Sequence, residues 1–262
     1  MSKPVAPFRI SDDIYYVGAS DVTAFLIVTD AGLILTDGGF EQMAPQIEAN
    51  IRTLGFDIRD VKILLNSHAH YDHAGGLAAL KAASGARFLA SRADAPVLES
   101  GGQADFADFA RAHPYPPVKV DAYVEDGGKI ALGHTALTAH LTPGHTKGCT
   151  SWTMTTHVNG KPLDVLFICS LSVLPEYRLL SEPGYPGMAA DFARSFKILH
   201  ALPCQIFLGA HGVFFDLKGK RAKLDQQPST NPFIDPEGCR KYIDAAEQHY
   251  DEELAKERAQ SH

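Results

Sequence analysis

The stretch Val61-Lys62-Ile63-Leu64-Leu65-Asn66-Ser67-His68-Ala69-His70-Tyr71-Asp72-His73 decides how the rest of the chain is read. Val61–Leu65 is a mostly apolar run of strand length, the pattern of a buried strand. Asn66-Ser67 ends it, and four candidate metal ligands follow within six residues. Gly75-Gly76 then opens an alanine- and leucine-rich segment that predicts a helix over Gly76–Ala83. In extended backbone, residues i and i+2 point the same way, so His68 and His70 can grip one ion together. Asp72 and His73 lie beyond the bend and can aim at a second position. Neutral imidazoles and a carboxylate suit zinc.

Four ligands do not fill two zinc sites, so further donors must come from elsewhere. His145 sits in Thr142-Pro143-Gly144-His145-Thr146, where a Pro-Gly turn after a strand presents the next side chain. His211 sits in Leu208-Gly209-Ala210-His211-Gly212, again a strand running into small residues. The expectation is His68, His70 and His145 on one ion, and Asp72, His73 and His211 on the other. Three protein ligands per ion leave a position for water, as in catalytic zinc sites. His113, His134, His140, His157, His200, His249 and His262 read as surface or satisfied core residues.

Working outward, short strands are expected at Ile14–Val17, Thr23–Val28 and Leu33–Thr36, then a helix over Gln42–Leu54. Further strands follow at Arg87–Ala90, Val118–Val124, Lys129–Leu132, Thr135–Leu141, Thr150–Thr156, Asp164–Ile168 and Gln205–Leu208. Helices are expected at Met188–Leu202 and Pro236–Arg258. Glu125-Asp126-Gly127-Gly128 reads as a hairpin turn, and Arg221–Asp235 as a polar surface loop. No linker divides the chain, so 1–262 reads as a single domain, a sheet core with helices outside.

The 262 residues carry a net charge of −7, against a nucleic-acid partner, and no run reaches the ~20 apolar residues of a membrane span. Met1–Pro7 lacks the apolar stretch of a signal peptide, which fits either a cytoplasmic chain or an exported one without its leader. Four cysteines show no CxxC spacing. Cys149 and Cys169 read as free buried thiols. Cys204 and Cys239 are left open between thiols and a bridge.

His68-x-His70-x-Asp72-His73, with His145 in Pro-Gly-His and His211 late in the chain, resembles the metallo-β-lactamase superfamily. The resemblance spans Ile14 to about Arg258. It implies an α+β or α/β fold, a four-layer αββα sandwich with the metals at one rim between the sheets. Asp37, in Leu35-Thr36-Asp37-Gly38-Gly39, matches the family's early aspartate, which supports the metal site from behind its ligands.

Thioesterase, lactonase and RNA-processing members usually carry a metal-bridging aspartate at the strand end after Pro-Gly-His. Here that strand reads Leu166-Phe167-Ile168-Cys169-Ser170-Leu171-Ser172, without an acid. Asp72-His73 with Ser170 and Ser172 is similar to subclass B3, whose members often bridge the cysteines matching Cys204 and Cys239. Neighbours on a strand face oppositely, so either Ser170 faces the metals or, in a shifted register, Cys169 does so as a thiolate. The resemblance favours Ser170, because His73 already supplies the third ligand.

It implies two Zn2+ per chain and hydrolysis of the β-lactam amide of penicillins, cephalosporins and carbapenems by a metal-bound hydroxide. Asp72 would hold the second zinc and orient the nucleophile. Ser170 would bind water and Ser172 the substrate carboxylate, unless both are ordinary strand-end serines. The alternative is another hydrolase of this fold, acting on lactones or thioesters. The partner implied is a small molecule, with no nucleic acid or membrane, and the chain would be a monomer in the periplasm or secreted.

Overall fold

A computed structural model describes residues 1–227 and 229–260; His262 lies outside the described residues. Two sheets face each other. The first has seven strands in sequential order: β1 Phe8–Arg9, β2 Ile14–Tyr16, β3 Phe25–Thr29, β4 Gly32–Thr36, β5 Val61–Leu65, β6 Arg87–Ser91 and β7 Ala122–Val124. The second has five, β8 Lys129–Leu132, β9 Thr135–Leu141, β10 Thr150–Val158, β11 Lys161–Ile168 and β12 Ile206–Gly209, in the order β12-β11-β10-β9-β8. The helices are α1 Ala44–Thr53, α2 Tyr71–Ala74, α3 Leu77–Ser84, α4 Ala95–Glu99, α5 Asp108–Arg111, α6 Met188–Ala201, α7 Leu217–Gln226 and α8 Pro236–Gln260.

The period-two pattern of the first sheet generates the layers. On β3, Phe25 and Ile27 face the core shared with the second sheet, while Leu26 faces the helices outside. Ile34 of β4 faces inward, and Leu33 and Leu35 outward. The outward set packs on Ile47 and Ile51 of α1 and Leu77 and Leu80 of α3. The inward set meets Trp152 and Met154 of β10 and Phe167 of β11, whose sheet is backed by Phe192 and Phe196 of α6 and Ile243 and Tyr250 of α8. The result is the expected αββα order. No described helix is long and apolar enough to cross a membrane.

Parallel pairing places several strand ends on one rim. β4, β5 and β6 run parallel in the first sheet, and β11 runs parallel to β12 in the second. Asp37, His68, Ser170 and His211 therefore all lie just beyond C-terminal strand ends, where such sheets leave an open crevice. Cross-sheet bonds close this rim: the Thr150 amide donates to the Ser67 carbonyl at 2.8 Å, and Thr23 Oγ1 donates to the Gly209 carbonyl at 2.8 Å.

Three expectations need correction. Glu125–Gly128 is not a hairpin turn; it carries the chain from β7, at the edge of one sheet, to β8, at the edge of the other. The supposed loop over Arg221–Asp235 is helical as far as Gln226, because α7 begins at Leu217 and is capped by Asp216, whose side chain accepts from the Gly219 amide. Cys149 and Cys169 are not free thiols but a disulfide, alongside a second between Cys204 and Cys239. The first pair forms because β10 and β11 are antiparallel neighbours. Cys149 directly precedes β10 and Cys169 directly follows β11, beyond the paired ends of the ladder, where strict alternation no longer fixes their facing and their Cα atoms stand 5.9 Å apart.

Thiol titration of the denatured, unreduced protein is expected to find no free cysteine; four reactive thiols would contradict both bridges. Replacing Cys204 and Cys239 together by serine, which opens a 35-residue loop, should cost about 3–4 kcal/mol in denaturant melts.

Candidate metal centre

His70 caps the N-terminus of α2 in extended conformation, so His68 and His70 keep strand-like geometry while Asp72 and His73 lie on the first turn of a helix. That change of backbone splits the motif in two, as its spacing predicts. His145 follows Gly144, whose φ of +141° is outside the range most side chains adopt. A Cβ there would come within 2.6 Å of the Phe192 ring, so the Pro-Gly turn sits directly on α6. His211 follows β12, and its backbone bridges to Val22 in the loop between β2 and β3.

His68, His70 and His145 form one group, with a donor atom from each within 4.8 Å of the others and ring centroids 4.7–4.9 Å apart. Asp72, His73 and His211 form the other. Asp72 Oδ2 lies 3.3 Å from His73 Nε2 and 3.5 Å from His211 Nε2, and the two nitrogens are 3.1 Å apart. A tetrahedral zinc with bonds of ~2.05 Å has ligand-to-ligand edges of about 3.3 Å, so this triangle already has the size of one face. His68 and His73 rings stand 4.3 Å apart, so the two groups share a wall.

Three of the five outer ring nitrogens are held, which turns the inner nitrogens of those rings toward the centre. His68 Nδ1 is 3.1 Å from Ser67 Oγ, His145 Nδ1 is 2.8 Å from the Ser172 carbonyl, and His211 Nδ1 is 3.0 Å from Asp21 Oδ2. His70 Nε2 and His73 Nδ1 are buried without a hydrogen-bond partner among the described residues. They stand 3.9 Å from Asp105 Oδ2 and 3.8 Å from Asp37 Oδ2, respectively.

Burial and the neighbouring imidazoles hold His68 and His70 well below the usual histidine range, and burial brings His145 down to about 4. These three rings are therefore neutral at pH 7, the form that binds metal. Burial pushes His73 the same way, but Asp72 and Asp37 outweigh it and raise the group. Burial raises Asp37, while for Asp72 the surrounding imidazoles overcome burial and hold its carboxyl below the usual range.

Asp37 leaves β4 with φ +59°, a left-handed conformation that aspartate tolerates. Its carboxylate folds back to accept from the Ser67 amide at 2.7 Å and Asn66 Nδ2 at 2.9 Å, fixing the strand end from which His68 projects.

Ser170 is buried, and its Oγ accepts from the Ser172 amide at 3.3 Å. Ser172 touches the centre through its carbonyl, which accepts the hydrogen bond of His145 Nδ1. The thiolate reading of Cys169 is overturned: its sulfur is bonded to Cys149 and lies 3.6 Å from His68 Nδ1, the outer nitrogen.

Asp21, Asp105 and Tyr177 adjoin the centre without having been singled out from sequence. Tyr177 donates to the His145 carbonyl at 2.6 Å. Asp105, Phe109 and Tyr177 also line a groove of about 940 Å³ beside His70 and His145, with Arg111, Lys147 and Arg178 along it. No local pattern marks these residues; only the fold brings them to the rim.

The model of the metallo-β-lactamase superfamily matches residues 17–156. Among solved structures, FEZ-1 metallo-β-lactamase from Legionella gormanii is 42% identical, with 98% of each chain covered and a TM-score of 0.95. BJP-1, a subclass B3 metallo-β-lactamase of Bradyrhizobium japonicum, is 39% identical over 100% of this chain and 98% of that one, with a TM-score of 0.92. Among curated relatives, a hydroxyacylglutathione hydrolase of Rhodospirillum rubrum is 27% identical over 76% of this chain. The match spans 62% of that relative's length, and 53% of a probable metallo-hydrolase of Burkholderia pseudomallei. With its motif split across two donor groups at the rim of an αββα sandwich, and its whole length similar to a subclass B3 enzyme, the chain belongs to the metallo-β-lactamase superfamily.

Proposed function

We propose that this chain is a zinc-dependent β-lactamase of the B3 type, opening the amide of penicillins, cephalosporins and carbapenems. The observation that carries this reading is likeness over nearly the whole chain to enzymes bearing that name, joined to two complete three-donor groups. In this reading His68, His70 and His145 hold one zinc ion, and Asp72, His73 and His211 a second. Zinc bound there supplies Lewis acidity, polarising a carbonyl and making water a competent nucleophile near neutral pH.

The chain's own residues then position and select. Asp72 is the catalytic residue, with carboxylate lone pairs left over to orient the attacking water. Asp37 supports the His68 strand end and faces His73, and Asp21 orients His211. Ser170 holds water at the rim. Ser172 and the cations of the groove take the substrate carboxylate, while Phe109 and Tyr177 wall the apolar part. No side chain serves as nucleophile, so no acyl-enzyme accumulates.

Two disulfides fit an oxidising compartment outside the cytoplasm. The reading places the protein in the periplasm or secreted, as a single-domain monomer with a small-molecule substrate.

Hydrolysis of nitrocefin and a carbapenem should vanish on treatment with chelator and return with added zinc. Turnover of lactones or thioesters with β-lactams untouched would replace the reading by the alternative hydrolase. Asp72→Asn should lower kcat/KM for nitrocefin by roughly a hundredfold or more, the scale of losing a group that orients a proton transfer. Asp21→Ala, which frees His211 Nδ1, should weaken binding of one zinc by about 10–100-fold in chelator competition and leave the other nearly unchanged. Equal loss at both sites would contradict the separate assignment of His211.

A further inference from the structure

Asp94 lies between β6 and α4, outside both donor groups, yet it is bonded to the segments that carry His68, His70 and His145. Its position, directly before α4 in Ser91-Arg92-Ala93-Asp94-Ala95-Pro96, suggests an ordinary helix N-cap. The structure shows otherwise. The Asp94 side chain makes no capping bond to α4; its backbone carbonyl alone receives the Val97 and Leu98 amides.

The carboxylate is turned inward and is buried. Oδ2 accepts from the Ala69 amide at 3.0 Å and from Thr146 Oγ1 at 2.8 Å, and Oδ1 accepts from the Gly148 amide at 2.7 Å. Ala69 is the residue between His68 and His70, and Thr146 follows His145. One side chain thus joins two ligand-bearing loops that are far apart in sequence.

The surroundings are built around this contact. The Ala69 carbonyl is taken by Tyr115 Oη at 2.6 Å, so both polar groups of the residue between the two histidines are fixed. Ser91 Oγ accepts from the Asp94 amide at 3.2 Å. A Cβ on Gly148 would fall 1.9 Å from Ser91 Oγ and 2.6 Å from Asp94 Cγ, so only glycine lets the second loop approach.

The geometry points to Asp94 as a positioning residue that locks the loops of His68, His70 and His145 into one arrangement before zinc arrives, which raises the affinity of that group for the metal. This rests on the assignment of those three histidines to one ion. An asparagine is nearly isosteric but offers one acceptor atom. Whichever way its amide lies, an NH2 group faces at least one N–H or O–H that the carboxylate satisfies.

The test is zinc affinity of the metal-free chain and its variants, by competition with a chromophoric chelator, beside their melting temperatures without metal. Asp94→Asn should weaken zinc binding at the three-histidine group by about 10–100-fold. Leu199→Ala, a core variant on α6 that destabilises away from the centre, controls for general loss of stability and should keep zinc affinity within about twofold. Should Asp94→Asn fail to fold, Thr146→Val removes one donor and should cost about threefold to tenfold in affinity.

Zinc binding by Asp94→Asn, or by Thr146→Val in its place, that stays within twofold of wild type overturns the positioning role and leaves the ligand assignment standing. An equal loss in Leu199→Ala also overturns it. A wild-type chain that binds no zinc overturns both.

Discussion

Five imidazoles and a carboxylate converge at one rim of this sandwich, and that concentration of lone pairs constrains the rest of the molecule. Two imidazole nitrogens stand 3.1 Å apart with a carboxylate oxygen 3.3 and 3.5 Å from them, in a place largely closed to solvent. Such donors gain little from one another without a cation between them. Three of the imidazoles are anchored from outside: a carbonyl stands behind His145, a hydroxyl behind His68 and a carboxylate behind His211. The candidate site is therefore a product of its surroundings as much as of its donor side chains.

Those surroundings explain why the fold is needed. His68, His70, Asp72 and His73 come from one strand end of the first sheet, but His145 comes from the loop between β9 and β10, and His211 from the end of β12. Only closure of the two sheets, across a core of Phe25, Trp152, Met154 and Phe167, brings the sources together. The disulfide between Cys149 and Cys169 secures the second sheet next to His68, and Asp94 ties the loop of His145 to that of His68 and His70.

What could be read beforehand follows the range of the interactions. The candidate ligands sit in local patterns, a strand running into a dense motif or a strand followed by small residues, so their spacing carries the information. The layers follow from alternation, as along Phe25, Leu26 and Ile27. Asp21 could not be found this way, since its partner His211 is 190 residues distant. Asp94 was hidden for a different reason: it occupies a position where aspartate is common, before a helix, and does something else there. Glu125–Gly128 has the composition of a hairpin turn and even reverses the chain, but local chemistry does not say in which sheet the next strand will pair. The Cys149–Cys169 bridge was hidden because it forms just beyond the paired ends of β10 and β11, whose pairing depends on the fold and not on local pattern.

The most direct measurement is anomalous diffraction at the zinc edge from crystals of the zinc-loaded protein. Two peaks per chain are expected, one among His68, His70 and His145 and one among Asp72, His73 and His211, a few ångströms apart. A single peak per chain, or density away from either group, would contradict the central claim that this rim is a two-metal centre.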